Sequence, residues 1–253
     1  MIFYEKQYVV KALSVNPNPM KNGFVISDLH IFRDPRIFDS SYRYICQIAA
    51  KADLIVLNGD IFDFEWSQSN IEKTVHYSTV WIKELIIGFP NCSFVFISGN
   101  HDCDPLFAEN MHVLEEEYQN IKYREEYYMI ENKLFLHGDI IHMNRLFHNL
   151  RQWRLLYRAA RLKTKHFRHI YLRIIPTKVS TATYNFFHHK ERIFDKLILY
   201  IQNDIQGAVT EIYFGHIHVY FEKYAYKGYV FNNPGAAIKD MQFKAVPFEY
   251  LNK

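Results

Sequence analysis

The sequence predicts an α/β protein built around a largely parallel β-sheet. Three apolar, strand-like runs at residues 23–27, 53–57 and 93–98 alternate with two segments of helical periodicity, at 37–52 and 71–87. Strands and helices in this order form parallel sheets with right-handed crossovers. Each apolar run is followed by a short polar cluster, and open α/β sheets bind ligands at the carboxyl ends of their strands. We therefore expect a ligand site at that edge of the sheet.

The composition is that of a globular protein with a sizeable core. The 253 residues are 49% hydrophobic and 17% aromatic, and a chain of this length can form one domain with an insertion. No apolar window reaches 18 residues, and the N-terminal residues lack the pattern of a signal peptide. Three cysteines are too few for a disulfide framework. These features predict a cytoplasmic protein.

The two predicted helices in the first half of the chain follow from their apolar spacing. Residues 37–52 and 71–87 carry apolar side chains close to the helical period, and the Gly-Phe-Pro-Asn sequence at 88–91 ends the second helix. Residues 1–22 contain an Asn-Pro-Asn-Pro stretch, which predicts a short strand or arm followed by a turn.

The second half of the chain predicts two hairpins and a further helix–strand unit. Runs at 127–130 and 133–136 have the length and spacing of a hairpin. A helical pattern at 191–206 precedes a short apolar strand at 211–214. The last hairpin spans residues 220–232 and turns at a Lys-Gly pair.

A strongly basic segment, residues 143–190, interrupts the α/β pattern. It contains eleven lysines and arginines and no acidic residue, so it carries +11 against +3 for the whole chain. Apolar residues recur in it at helical spacing, which predicts a helical cap inserted in a single domain spanning residues 1–253. A solvated helical hairpin would have the same composition. The mixture of basic and aromatic residues also suits anionic lipid or nucleic acid.

Five polar motifs follow strand-like runs and carry the chemistry of metal ligands. They are Asp28-Leu29-His30, Gly59-Asp60, Gly99-Asn100-His101-Asp102, His137-Gly138-Asp139 and Gly215-His216-Ile217-His218. Carboxylates, amides and imidazoles bind hard or borderline divalent ions. Residues two apart in an extended segment face the same side, so the Asp-x-His and His-x-His pairs can each present two ligands together. Asp-x-His and Gly-Asp are weak signals alone, Gly-His-x-His is moderate, and Gly-Asn-His-Asp after an apolar strand is strong. The ordered set at successive strand ends is much stronger than any single motif.

This order of motifs resembles that of the calcineurin-like metallophosphoesterases over nearly the whole chain. The resemblance implies a four-layer α/β sandwich, in which two mixed β-sheets are flanked by helices. It also implies two divalent metal ions, with manganese expected and iron or zinc as alternatives. In the arrangement of that family the first ion is held by Asp28, His30, Asp60 and His218, and the second by Asp60, Asn100, His137 and His216.

Such a centre would hydrolyse phosphoester or pyrophosphate bonds. Two ions roughly 3.5–4 Å apart acidify a bridging water, which becomes a nucleophile at neutral pH. The ions also stabilise the charge that builds on the phosphoryl oxygens. The leaving oxygen needs a proton or a hydrogen bond, and His101, beside Asn100, is the candidate donor. Asp102 is a candidate to orient His101, with stabilisation of the turn as its alternative role. The other histidines, His142 among them, are predicted to be solvated.

Two features resemble the UDP-2,3-diacylglucosamine pyrophosphohydrolases of lipid A biosynthesis within that family. One is the sequence of residues 59–66, and the other is a helical insertion after residues 137–139. The resemblance implies a lipid-linked nucleotide substrate and a peripheral position at the inner face of the membrane. The sequence departs from the best-known enzymes of that branch at His101, where they have arginine, and at residues 140–142.

Two other functions share these features. A nuclease, or a phosphodiesterase or phosphatase acting on cyclic nucleotides, would use the same metal ligands. A scaffold protein with the same fold would have lost catalysis. All seven expected ligands and His101 are present, so the sequence favours an enzyme.

Overall fold

A computed structural model of the protein describes residues 19–33, 35–67, 69–143, 149–162, 189–238 and 241–251. Over these ranges the chain forms two five-stranded β-sheets with helices on their outer faces, which confirms the predicted α/β class. Most of the expected N-terminal arm, and residues 144–148 and 163–188 of the basic segment, lie outside the described residues.

The first sheet contains the three predicted parallel strands and two further strands. Its members are β1 (Met20–Ile26), β2 (Leu54–Asn58), β3 (Ser93–Ile97), β4 (Ile121–Arg124) and β10 (Val246–Leu251), in the order β10-β1-β2-β3-β4. Strands β1 to β4 run parallel, and β10 pairs antiparallel with β1. The sequence patterns did not indicate β4, which has four residues of which two are charged. They also missed β10, an edge strand whose Pro247 lies on its exposed side.

The second sheet is formed by the second half of the chain. Its members are β5 (Tyr127–Ile130), β6 (Lys133–Leu136), β7 (Glu211–Phe214), β8 (Phe221–Tyr226) and β9 (Tyr229–Asn233), in the order β5-β6-β7-β9-β8. Strands β5 with β6 and β8 with β9 are antiparallel, which confirms both predicted hairpins. The central strands β6, β7 and β9 run parallel, so the carboxyl ends of β6 and β7 lie at one edge.

Within the described ranges, five helices and one 3-10 turn connect these strands. They are α1 (Pro35–Ala49), α2 (Ile71–Gly88), α3 (Pro105–Glu117), the 3-10 turn (Asp139–His142), α4 (Leu150–Leu162) and α5 (residues 189–204). Helix α3 was not predicted, although its start is encoded locally. The Asp104 carboxylate caps it by accepting from the Leu106 amide at 2.9 Å, and Pro105 occupies its first turn.

The core is divided into three layers of side chains by the two sheets. Val25, Val56 and Phe135 belong to a cluster between the sheets. A second cluster lies between the first sheet and helices α1 to α3. A third joins the second sheet to α4 and α5, and includes Trp153 and Phe194. This helix–sheet–sheet–helix order is the predicted four-layer sandwich, and it places α4 of the basic segment directly against the second sheet. None of the helices in the described part of the chain is long and apolar enough to cross a membrane.

Candidate metal centre

The predicted metal ligands lie where strands of both sheets end. They are Asp28 after β1, Asp60 after β2, Asn100 after β3, His137 after β6, and His216 with His218 after β7; His30 follows two residues after Asp28. Asn58, the last residue of β2, holds the two edges together. Its side-chain amide donates to the carbonyl oxygens of Leu136 at 2.9 Å and Tyr213 at 3.2 Å. The ligands on the two sheets are thereby brought to one place.

The first group of ligand atoms is formed by Asp28, His30 and His218. The His218 Nε2 atom lies 3.2 Å from Oδ1 of Asp28 and 3.2 Å from Nε2 of His30. Nε2 of His30 is also 4.0 Å from Oδ2 of Asp60. Asp28 is tied further to the β7 loop, because its carboxylate accepts from the His216 amide at 3.0 and 3.1 Å. These three residues, which could together hold a metal ion, are among the four that the resemblance assigns to the first ion.

The second group is centred on His137. Its Nε2 atom lies 3.2 Å from Oδ2 of Asp60, 3.3 Å from Oδ1 of Asn100 and 3.3 Å from Nδ1 of His216. Asp60 therefore lies beside both groups, as a ligand shared by two ions would. All seven side chains predicted as ligands are brought together by the fold.

The donor set around His137 fits a divalent cation. Its Nδ1 atom faces the carbonyl oxygen of Asn58 at 3.3 Å, and a carbonyl oxygen only accepts, so Nδ1 carries a proton. In the neutral imidazole Nε2 then carries a lone pair. This lone pair faces the Asp60 and Asn100 oxygens, which also carry lone pairs. A cation bound among these atoms satisfies all of them at once.

The pKa shifts in this group report the same need for positive charge. Burial lowers the pKa of His137, but the adjacent Asp60 carboxylate outweighs it and raises the pKa to about 9. Burial and the positive charge favoured at His137 hold the pKa of His216 well below its usual range, so the His216 imidazole is neutral. The Asp60 carboxylate thus favours one positive charge in this group, which a bound ion would supply.

Five of the seven ligand residues have left-handed backbone conformations. Their φ values are 53° for Asp28, 49° for His30, 53° for Asp60, 67° for His216 and 59° for His218. Such conformations cost on the order of 1–3 kcal/mol each in residues other than glycine, and they cluster at functional sites. The fold therefore imposes a strained backbone at five of the seven predicted ligands. No sequence pattern indicated this strain.

Two glycines allow the strand-end loops to approach each other closely. A Cβ atom at Gly99 would overlap the Asp60 side chain and amide, and one at Gly215 would overlap Ser27 and the Asp28 carboxylate. Any side chain at these positions would push the ligand loops apart. The Gly-Asn-His and Gly-His-x-His motifs therefore need their glycine for packing.

His101 faces the metal centre and is oriented by Asp63. The His101 Nδ1 atom lies 3.2 Å from Oδ1 of Asp63, whose Oδ2 is 3.4 Å from Nδ1 of His30. Asp63 thus contacts a predicted ligand and the predicted proton donor at the same time. Burial lowers the pKa of His101, but Asp63 and Asp60 outweigh it and raise the pKa to about 10. Asp63 was not predicted as a site residue, although its position three residues after Asp60 was a usable signal.

Asp102 has the contacts of a turn-stabilising residue. Its carboxylate accepts from the amides of Gly99 at 2.6 Å and Ile61 at 2.8 Å, and so joins the loops after β2 and β3. Burial and the neighbouring Asp60 raise the pKa of Asp102 to about 7. Of the two roles expected for Asp102, its contacts match stabilisation of the turn. The carboxylate that contacts the His101 ring is that of Asp63.

The solvation predicted for two features near the centre has different outcomes. His142 is exposed, as predicted, and its ring also packs edge-on against that of His216 with centroids 4.9 Å apart. In α4, arginines of the basic segment pair with acidic residues of the same chain: Arg151 with Glu125, Arg154 with Asp139 and Arg158 with Asp104. Part of the basic charge is therefore neutralised within the fold.

Comparisons with known proteins found a matching family model and similar solved structures. The family model described as calcineurin-like phosphoesterase matches residues 24–220. Among solved structures, the crystal structure of the nuclease MPE of Pseudomonas putida is similar to this chain at 16% sequence identity and a TM-score of 0.31. That alignment covers 46% of this chain and 53% of the nuclease, so the chain spans about half of its length. No curated protein sequence matches this chain.

Proposed function

The chain belongs to the calcineurin-like phosphoesterase family, and on this basis we propose that it hydrolyses phosphoester or pyrophosphate bonds with two divalent ions. The observation that carries the proposal is the position of His137 Nε2, within 3.3 Å of three other ligand atoms at the ends of strands from both sheets. The first ion is assigned to Asp28, His30, Asp60 and His218, and the second ion to Asp60, Asn100, His137 and His216. Manganese is the metal proposed.

The ions would supply an acidified water as nucleophile and positive charge for the phosphoryl oxygens. The residues of the chain supply the remaining parts. His101 is the proposed donor of a proton to the leaving oxygen, through its Nε2, and the contact of its Nδ1 with Asp63 supports this role. The raised pKa of His101 keeps that proton in place at neutral pH. Asp63 holds His101 and His30 at a fixed separation, so the proton donor and the first ion keep their relative positions.

For the substrate we propose a UDP-linked lipid of the UDP-2,3-diacylglucosamine type. The sequence of residues 59–66 and the helical segment after residues 137–139 support this, since both resemble that branch of the family. A lipid substrate would place the protein at the cytoplasmic face of a membrane. Arg154 and Arg158 are paired within the fold, so attraction to anionic lipid would come from other basic residues of the segment 143–190.

A substrate screen with the manganese-loaded protein tests the proposal. UDP-2,3-diacylglucosamine, single-stranded DNA, a cyclic nucleotide and a simple phosphomonoester are offered in parallel. Phosphorus NMR of products formed in ¹⁸O-labelled water identifies the bond that breaks and the phosphorus that receives the oxygen. We expect two monophosphorylated products from the UDP-linked lipid. Turnover of DNA or cyclic nucleotide alone would overturn the lipid assignment and keep the two-metal chemistry. No turnover of any phosphoester by a chain that holds two ions would overturn the enzyme assignment.

A further inference from the structure

We infer that helix α4 positions two of the four loops that carry proposed ligands of the second ion, and that Arg154 and Arg158 do so by direct contacts. The inference rests on the proposed function, because it concerns the affinity of the second ion. In the described part of the chain, the polar contacts of both arginines go to groups other than the proposed ligand side chains. The arginines are positioning residues, and each of them contacts a different loop of the metal centre.

Arg154 holds the loop that follows β6. Its Nε and Nη2 atoms donate to the two carboxylate oxygens of Asp139 at 2.7 Å each. The side chains of Arg154 and Asp139 are 2% and 0% exposed, so the pair is fully enclosed. Asp139 lies two residues after His137 and begins the 3-10 turn. Arg154 also donates to the carbonyl oxygen of Glu125, between β4 and β5. A planar guanidinium with three bonds fixes the direction in which this loop leaves β6.

Arg158 holds the loop that follows β3. Its Nη1 atom donates to the carbonyl oxygen of Cys103 at 3.1 Å and pairs with the Asp104 carboxylate. Asp104 in turn caps α3 through the Leu106 amide at 2.9 Å. Cys103 is three residues after Asn100, and its thiol donates back to the Asn100 carbonyl oxygen at 3.7 Å. The short loop between β3 and α3, which carries Asn100 and His101, is therefore held from α4.

The two contacts act across the gap between the sheets. Arg154 and Arg158 are four residues apart and so lie on one face of α4. One reaches a loop of the second sheet and the other a loop of the first. The ligand atoms on these loops, Asn100 Oδ1 and His137 Nε2, are 3.3 Å apart. A helix that contacts both loops sets this separation, just as outer-shell contacts orient metal ligands in other sites.

The effect should be selective for the second ion. The ligands particular to the first ion are Asp28, His30 and His218, and they lie on the loops after β1 and β7. In the described part of the chain, the polar contacts of Arg154 and Arg158 go to other loops. Loss of the contacts of α4 would therefore lower the affinity for the second ion and leave the affinity for the first ion unchanged. A general loss of stability would weaken both ions.

Manganese binding to the metal-depleted full chain tests the inference. Calorimetric titration with Mn²⁺ alone, with elemental analysis of the loaded protein, gives the affinity and number of ions. The variants are Arg158→Met, Arg158→Lys and Arg154→Lys. The matched control is Arg151→Met, on the same helix, whose side chain is 53% exposed and lies 3.4 Å from Glu125. Circular dichroism and urea denaturation are recorded for each variant.

We expect Arg158→Met to weaken the second ion by about 10- to 100-fold, the usual effect of losing an outer-shell contact, with the first ion unchanged. Arg158→Lys should restore part of that affinity, because lysine keeps the charge but cannot contact both partners in the same way. Arg151→Met should bind both ions as the wild type does. Folded Arg154 and Arg158 variants with wild-type affinity for both ions would overturn the inference, as would equal weakening of both ions. A wild-type chain that binds fewer than two ions would overturn the proposed function instead, and this inference with it.

Discussion

The Nε2 atom of His137 lies 3.2 Å from Oδ2 of Asp60, and this contact joins the two sheets at the metal centre. Asp60 follows β2 of the first sheet, and His137 follows β6 of the second. Both side chains are buried, and Asp60 Oδ2 is also 4.0 Å from Nε2 of His30. One carboxylate thus lies between an imidazole of each proposed ion site.

The first prediction concerns the shared carboxylate. Asp60→Ala should abolish binding of both ions and all hydrolysis, because each ion loses a negatively charged ligand and the site loses the charge that attracts cations. Elemental analysis after dialysis against Mn²⁺ measures the ions retained. The control is Asp39→Ala, an exposed carboxylate on α1, which should keep both ions. Two ions retained without Asp60 would contradict its bridging role.

The second prediction separates the proton donor from the metal ligands. His101→Ala should keep both ions and lower kcat by about 10²–10⁴, the range that general acids contribute. With a substrate whose leaving group has a low pKa, kcat of the variant should fall much less, because such a group needs no proton. Comparing kcat for a good and a poor leaving group checks this. Equal losses for both substrates would mean that His101 acts in binding.

The third prediction is a pH effect of Asp63. Asp63 and Asp60 raise the pKa of His101 to about 10, so the protonated acid persists on the alkaline side of neutrality. Asp63→Asn removes one of these negative charges and should lower the pKa of His101. The alkaline fall in kcat should then begin at a lower pH than in the wild type. Rate profiles from pH 6 to pH 10 measure the shift. An unchanged alkaline limb would show that Asp63 does not act on His101.

The fourth prediction tests the close approach of the loops. Gly215→Ala should lower the free energy of unfolding by about 1–3 kcal/mol and weaken the first ion, because the added Cβ overlaps the Asp28 carboxylate. Gly88→Ala is the matched control, since a Cβ there meets nothing within 4 Å. Urea denaturation with and without Mn²⁺ gives both quantities. A Gly215→Ala protein as stable as the control would refute the steric argument.

The fifth prediction concerns the stability provided by the pair between Arg154 and Asp139. Arg154→Met leaves a buried carboxylate without its partner and should cost about 3–5 kcal/mol in the free energy of unfolding. Arg151→Met breaks a pair whose arginine is exposed and should cost less than about 1 kcal/mol. Chemical denaturation of the two variants at equal metal concentration compares them. Similar small losses in both would mean that the buried pair is not needed for folding.

The sequence by itself determined the strand ends and the chemistry that they carry. An apolar run such as residues 93–98 is buried wherever it pairs, and the polar residues that follow it must leave the sheet at its edge. The parallel order of β1, β2 and β3 follows from the helices between them. These are local properties, so the ligand residue types and their edge of the sheet could be predicted without coordinates.

Only the tertiary structure decided which side chains meet. Asp102 is next to His101 in the sequence, but the contact with the His101 ring belongs to Asp63, which lies 38 residues away in the chain. The sequence pattern of α4 suggested a solvated basic surface. In the structure, however, Arg154 and Arg158 form ion pairs with aspartates of distant loops. The strained backbone at the ligands and the pairing of β10 with β1 arise in the same way. Each depends on contacts between residues far apart in the chain, which local periodicity and composition do not encode.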